Sequence, residues 1–234
     1  MLNSGAVVIS MLCIAILAIA VRGQLKLYIH PRYEWLTISM TLLGLLLSVM
    51  SVQRSAPVGA LPQRGVRLMV VCGVMILPML VTKPVPLTVA TASQRVINSS
   101  AAGVATEQDR QLLASRGEYA HFTVKDWAGL LAQSTDPAHY QHKAVRIVGF
   151  VAPSPNDTDV FFVSRFVIAC CAVDARPVGV PVYRPGWQRQ VPSNAWVEVS
   201  GEFAATPGDG TAHRTVVLPD YVKIVPQPED PYAY

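Results

Sequence analysis

The stretch Val160-Phe-Phe-Val-Ser-Arg-Phe-Val-Ile-Ala-Cys170-Cys171-Ala-Val-Asp174-Ala-Arg176-Pro177-Val-Gly-Val-Pro-Val-Tyr183 decides the fold class. Val160–Cys170 is a nearly continuous apolar run rich in β-branched and aromatic side chains, the composition of a buried strand. Asp174-Ala-Arg176-Pro177 reads as a turn. Val178–Tyr183 reads as the next strand, with Pro181 placing it near an edge or a bulge. Upstream, Lys143–Ala152 has strong strand propensity, and Pro153-Ser-Pro-Asn-Asp-Thr is a loop or hairpin turn. Downstream, Trp196–Phe203 alternates cleanly and carries Gly201, which suits a strand with a bend. Thr206-Pro-Gly-Asp-Gly-Thr is a turn, and Thr215–Leu218 and Tyr221–Val225 close the series. Before the strands, Thr123-Val-Lys-Asp126 matches a capping box, and Trp127, Leu130 and Leu131 form one apolar helix face. One helix followed by five or six short strands predicts a small closed β-barrel, best matched by the OB fold.

The first third of the chain is different in character. The whole sequence is 51% hydrophobic and 15% charged, against about 45–50% and about 25% in soluble domains. Met1–Arg116 holds ten Lys/Arg and three Asp/Glu, whereas Glu118–Tyr234 holds nine and twelve, so the basic pI of 9.0 comes from the N-terminal half. A mildly acidic C-terminal domain argues against nucleic acid as its partner. Leu2–Val21, Trp35–Val52 and Val66–Val81 are apolar enough to predict three transmembrane helices, given the requirement for about 20 apolar residues. Arg67 can snorkel and a membrane helix tolerates Pro78. Residues 1–82 thus read as a membrane domain, 83–117 as a Pro- and small-residue-rich linker, and 118–234 as a soluble domain. Val104–Ser115 fits a short polar helix. A signal peptide explains the first run less well, because it lacks a basic start and another span follows closely. Tyr28, Tyr33 and Trp35 fit an interfacial aromatic belt. The loop charges give a slight excess on the side of the C-terminal domain, which alone favours a cytoplasmic C-terminus.

Chemistry centres on Cys170 and Cys171. Adjacent Cα atoms lie about 3.8 Å apart, below the usual disulfide range of about 4.4–6.8 Å, so a bond between these thiols is strained and easily reduced. Three readings stay open. The pair can be a soft-metal donor (a thiophilic ion such as zinc) with Asp174 as ligand or support, a redox-sensitive pair, or two small core residues. Strand neighbours point to opposite faces, so joint ligation requires a break in the strand near Cys170. Arg165 and Arg176 flank the pair and are placed either to activate a thiolate or to pair with Asp174 on the domain surface. His121, His139, His142 and His213 are scattered, with only His139 and His142 three residues apart, and surface or turn roles fit them best. Asp157 and Asp159 share a turn. No phosphate loop and no G-x-S-x-G motif occurs, so the chain is expected not to be an enzyme.

Several motifs carry a resemblance. Tyr28-Ile-His-Pro31-Arg32, Lys83-Pro-Val-Pro-Leu, Gly149-Phe-Val, Ser164 through Pro177, Trp196-Val-Glu-Val-Ser-Gly201 and the Pro228–Tyr234 tail together resemble the YcgQ-like family, described as subunits of a two-component membrane permease. The resemblance covers nearly the whole chain, and Cys-Cys-x-x-Asp-Ala-Arg-Pro is its most specific part. It implies a separate multi-span permease subunit as partner, no established catalytic activity, and a plasma-membrane protein whose C-terminal domain lies outside the cytoplasm. Family members tend to have a basic N-terminus, whereas Met1–Ser10 has no charged side chain. The resulting expectation is an accessory permease subunit whose barrel contacts a cationic or thiophilic substrate, or the permease, through the Cys-Cys-x-x-Asp segment. The alternative is a membrane-tethered thiol redox or metal-sensing protein. An OB module for oligonucleotides or peptides fits least, for want of interleaved basic and aromatic residues.

Overall fold

The computed structural model describes residues 4–53, 70, 73–74, 87–99, 101, 111, 121–134, 136–207 and 213–234. The chain divides into two compact units. One comprises Met1–Pro86 with Cys170–Val173, and the other Leu87–Ala169 with Asp174–Tyr234.

In the first unit, α1 (Ser4–Val21) and α2 (Glu34–Gln53) pack together. Their buried residues are small or slim: Ala6, Cys13, Ala15 and Ile19 on α1, Thr41 and Ser48 on α2. A Cβ added to Gly44 would sit 3.4 Å from the Cys13 sulfur, so the pairing relies on close backbone approach, as in membrane helices. Between them the chain makes two 3₁₀ turns, Leu25–Leu27 and Pro31–Tyr33, and His30 Nδ1 caps the second by accepting Arg32 N–H at 3.1 Å.

Three spans were expected. Among the described residues one helix, Pro31–Ser51, is long and apolar enough to cross a membrane by length and composition, and only 11% of the residues in its apolar window are buried. The first apolar helix falls short because the chain turns off at Arg22-Gly23, with Gly23 at a left-handed φ of 66°. The expected span Val66–Val81, with Cys72, lies outside the described residues except at Val70, Gly73 and Val74, as does nearly all of the expected 104–115 helix.

The second unit is a six-stranded sheet with helices before it. After a short helix, α3 (Val89–Ser93), comes α4 (Val124–Gln133), where the Asp126 carboxylate accepts both Thr123 N–H and Thr123 Oγ1–H at 2.7 Å, the expected capping box. The strands are β1 (Ala144–Pro153), β2 (Val160–Val167), β3 (Arg176–Tyr183), β4 (Trp196–Ala205), β5 (Thr215–Ile224) and β6 (Tyr232–Ala233). Their order is β1-β4-β5-β3-β2-β6, and β1 pairs again with β2, so the ladder returns to its first strand. β1 manages this by giving Ala144–Phe150 to β4 and Phe150–Pro153 to β2. Gly149 sits at the changeover, where an added Cβ would lie 2.5 Å from the Ser164 carbonyl oxygen. Trp127, Tyr140, Phe161, Trp187 and Phe203 fill the interior with alternating valines of the strands. Burial raises the Tyr140 phenol to about 12, and its hydroxyl donates to Leu130 O at 2.6 Å.

Two expected strands, Thr215–Leu218 and Tyr221–Val225, are one. Gly201 pairs with Pro219 and Ser200 with Tyr221, so Asp220 is an extra residue that absorbs the proline within a bulge. The bend expected at Gly201 is this same irregularity. Pro181 costs β3 no ladder bond: Gly179, two residues earlier, turns its N–H and C=O away from β2 to Asn98, so Pro181 faces that side too.

Candidate functional site

β2 ends at Val167, three residues before the expected Cys170. Ile168 N–H bonds to Ala233 O at 3.1 Å, and Ala169 N–H turns to the Asp174 Oδ1 at 3.0 Å. The chain has therefore left the strand when it reaches the cysteines, and the opposite-face rule no longer separates them. Cys170 is exposed and Cys171 half-buried, and the two sulfurs lie 3.5 Å apart with no disulfide between them. The 3₁₀ turn Ala172–Asp174 brings the carboxylate back, so that one ligand atom from each of Cys170, Cys171 and Asp174 falls within 4.8 Å of the others. The backbone of this loop is held by the α1–α2 connector. His30 N–H donates to Cys170 O at 2.9 Å, Ala172 N–H donates to Tyr28 O at 2.8 Å, and Ile29 and Cys171 form an isolated antiparallel bridge.

Arg165 lies in β2 and Arg176 opens β3. Arg165 donates from Nε to Val148 O at 2.9 Å and from Nη1 to Asp230 O at 2.8 Å, and its guanidinium lies 5.2 Å from the Trp196 ring centroid. Burial lowers its pKa, offset by the Asp230 charge. It clamps the tail that carries β6. Arg176 is exposed at the start of β3, opposite Val167.

Of the histidines, His139 and His142 are exposed and do not converge. His139 meets the Tyr140 ring edge-on, and His142 Nδ1 lies 3.5 Å from Glu202. His213 is the one that sequence reasoning undervalued. Its ring packs edge-on against Phe162 with centroids 5.1 Å apart, and Nε2 lies 3.4 Å from Ser154 Oγ. Burial pushes its pKa below the ordinary value, against a smaller opposing effect of Asp157. It borders a groove of about 510 Å³ with Phe162, Val96, Ile97 and Pro155. Nothing in the sequence near Thr206–His213 signals this burial, because it depends on two distant loops meeting. Asp157 and Asp159 shape the first of those loops, Asp157 Oδ1 accepting Asp159 N–H at 2.9 Å.

A family model described as the DUF1980 C-terminal domain matches residues 105–234. A protein of Streptococcus mutans serotype c, named as a candidate subunit of a two-component membrane permease complex, is 29% identical over 99 residues, which cover 42% of this chain and 36% of that protein. The matched part thus spans about a third of that relative. Among solved structures, an OBody bound to hen egg-white lysozyme is 19% identical and covers 39% of this chain and 86% of its own, with a TM-score of 0.25, too low to weigh on the fold.

Proposed function

We propose, from the premise that the chain belongs to the DUF1980 C-terminal domain family, that it is an accessory subunit of a two-component membrane permease. Its apolar helices anchor it in the plasma membrane as a multi-pass protein and meet a separate multi-span permease subunit. The ring of strands β1 to β5 is an OB-like barrel on the extracytoplasmic side. Its Cys170-Cys171-x-x-Asp174 loop contacts a cationic or thiophilic substrate, or the permease itself. The protein acts by binding and not as an enzyme, and nucleic acid is not a partner.

The name of the Streptococcus mutans relative supports the subunit role. The observation that carries the reading to a site is the backbone pairing of the thiol loop with Tyr28 and His30, in the connector between the apolar helices. The alternative of a thiol redox protein has less support, since the thiols stand 3.5 Å apart and a bond of about 2.05 Å between neighbours is strained.

The test is affinity purification of the tagged full chain from its own cells. A complex with a multi-span membrane protein encoded beside it is the expected result. A clean monomer, together with a deletion strain that transports normally, would overturn the proposal.

A further inference from the structure

We propose that Cys170, Cys171 and Asp174 form a three-ligand site for a tetrahedral, thiophilic divalent cation of the zinc class, with the fourth coordination position open to water or to a donor of another molecule. This rests on reading the thiol loop as the contact point of a permease subunit, and it names the chemistry of that contact.

Geometry selects the class of ion. With metal–sulfur bonds of about 2.3 Å, sulfurs 3.5 Å apart subtend an angle of about 100° at the metal. That is close to tetrahedral. A linear dithiolate ion at the same bond length needs its sulfurs roughly 4.6 Å apart. Linear two-coordinate soft ions therefore fit badly. The donor set of two sulfurs and one carboxylate also disfavours calcium and magnesium, which take oxygen ligands.

Asp174 arrives already oriented. Its Oδ1 accepts Ala169 N–H at 3.0 Å, the kind of outer-shell bond that fixes a ligating carboxylate. The main chain that carries the sulfurs is held by the Tyr28 and His30 backbone bonds on either side of Cys171. Ordering such a loop beforehand lowers the cost of binding. All the ligands lie within five consecutive residues, and Cys170 is exposed. Three protein ligands plus an open position describe a site that exchanges its ion, unlike the closed four-ligand sites that stabilise folds. Binding leaves oxidation states unchanged. The cation displaces the two thiol protons into solvent, and two thiolates and one carboxylate then hold it with a net site charge of −1.

The experiment uses the full chain in detergent, stripped with a chelator and kept reduced, then titrated with cobalt(II) and with zinc against a chromophoric indicator. The expected result is one equivalent bound, with the intense visible bands of tetrahedral cobalt and a sulfur-to-cobalt charge-transfer band, both displaced by zinc. Affinity should fall steeply with acidity as the two thiol protons compete. Cys170→Ser and Cys171→Ser should each abolish the charge-transfer signal or reduce it by half with weakened binding. Asp174→Asn should weaken binding by about 10- to 100-fold while leaving far-UV circular dichroism unchanged. A pale octahedral cobalt spectrum, no binding by a folded chain, or Asp174→Asn binding like wild type would overturn the site. If metal fails to bind but the chain still purifies with a permease, the site falls and the subunit role stands. If metal binds but no permease complex forms, the site stands and the subunit role falls.

Discussion

Asn98 completes β3 in place of a neighbouring strand: its Nδ2 donates to Gly179 O and its Oδ1 accepts Gly179 N–H, both at 2.8 Å. Its own N–H bonds to Pro177 O at 3.1 Å, and its φ of 65° is one that asparagine tolerates better than most residues. β3 pairs with β5 in the ladder at Val182 and Val217, beyond Gly179, so without Asn98 the Gly179 groups on that side lose their partner. Asn98→Ala leaves these buried groups unpaired, at roughly 1–3 kcal/mol, and adds left-handed strain of about 1 kcal/mol. Asn98→Gly removes the strain but not the loss of bonds, so it should fall between Asn98→Ala and wild type. Hydrogen exchange at the Gly179 amide checks this directly. Unchanged protection in Asn98→Ala would contradict it.

Ser164 supplies a prediction of opposite sign. Its Oγ is fully buried and has no hydrogen-bond partner among the described residues. Ser164→Ala should therefore be neutral or stabilising by about 1 kcal/mol, since it removes a buried polar group without orphaning another. Gly179→Ala places its Cβ 2.6 Å from that Oγ and should cost roughly 1–3 kcal/mol. Part of this cost returns in the double variant. Gly149→Ala instead meets Ser164 backbone, with the carbonyl oxygen at 2.5 Å and the nitrogen at 3.0 Å, and Ser164→Ala should not rescue it. Denaturant midpoints of the three single variants and the two doubles decide the matter.

Thiol accessibility should rank Cys170 ahead of Cys171, and both ahead of Cys13. Cys170 is exposed, Cys171 is half-buried beside Ile29, and Cys13 packs against Gly44 of α2. Timed maleimide labelling of the full chain in detergent, read by peptide mass spectrometry, measures the order. Asp174→Ala removes the acceptor of Ala169 N–H and should speed Cys170 labelling. Labelling of Cys13 as fast as Cys170 would mean that the α1–α2 packing is wrong.

The strands were legible because β-branched and aromatic residues cluster where backbone ladders form, and the capping box of α4 was legible because its two partners are three residues apart. The convergence of Cys170 and Cys171 was not. It depends on where β2 stops, and that is set by Ala233 and Asp174 taking the next two amides. The clamp role of Arg165 was hidden for the same reason, since Val148, Trp196 and Asp230 come from three other parts of the chain. Pro219-Asp220 looked like a break because a bulge that accommodates proline leaves no mark in periodicity. Asn98 lay in a segment that composition described only as a linker.

His213 gives the domain a predictable response to acid. Burial holds its folded-state pKa below the ordinary 6.5, and the Asp157 charge only partly opposes this. Arg95 borders the same groove and Arg214 follows in sequence, and Asp157 supplies the opposing charge. The unfolded chain then takes up a proton at a pH where the folded one does not. The stability that this contributes is complete above about 6.5. It is lost as pH falls from there toward the folded pKa, and no further loss from this group follows below it. His213→Gln keeps a polar contact for Ser154 but does not titrate, so it should flatten this part of the profile. Thermal unfolding of the full chain at pH 7.5, 6.5 and 5.5 (roughly one unit either side of the free imidazole value) reads the difference. The wild-type midpoint should drop more than that of His213→Gln across the lower interval. Parallel profiles would show that His213 is not shielded by the groove formed with Phe162 and Ser154.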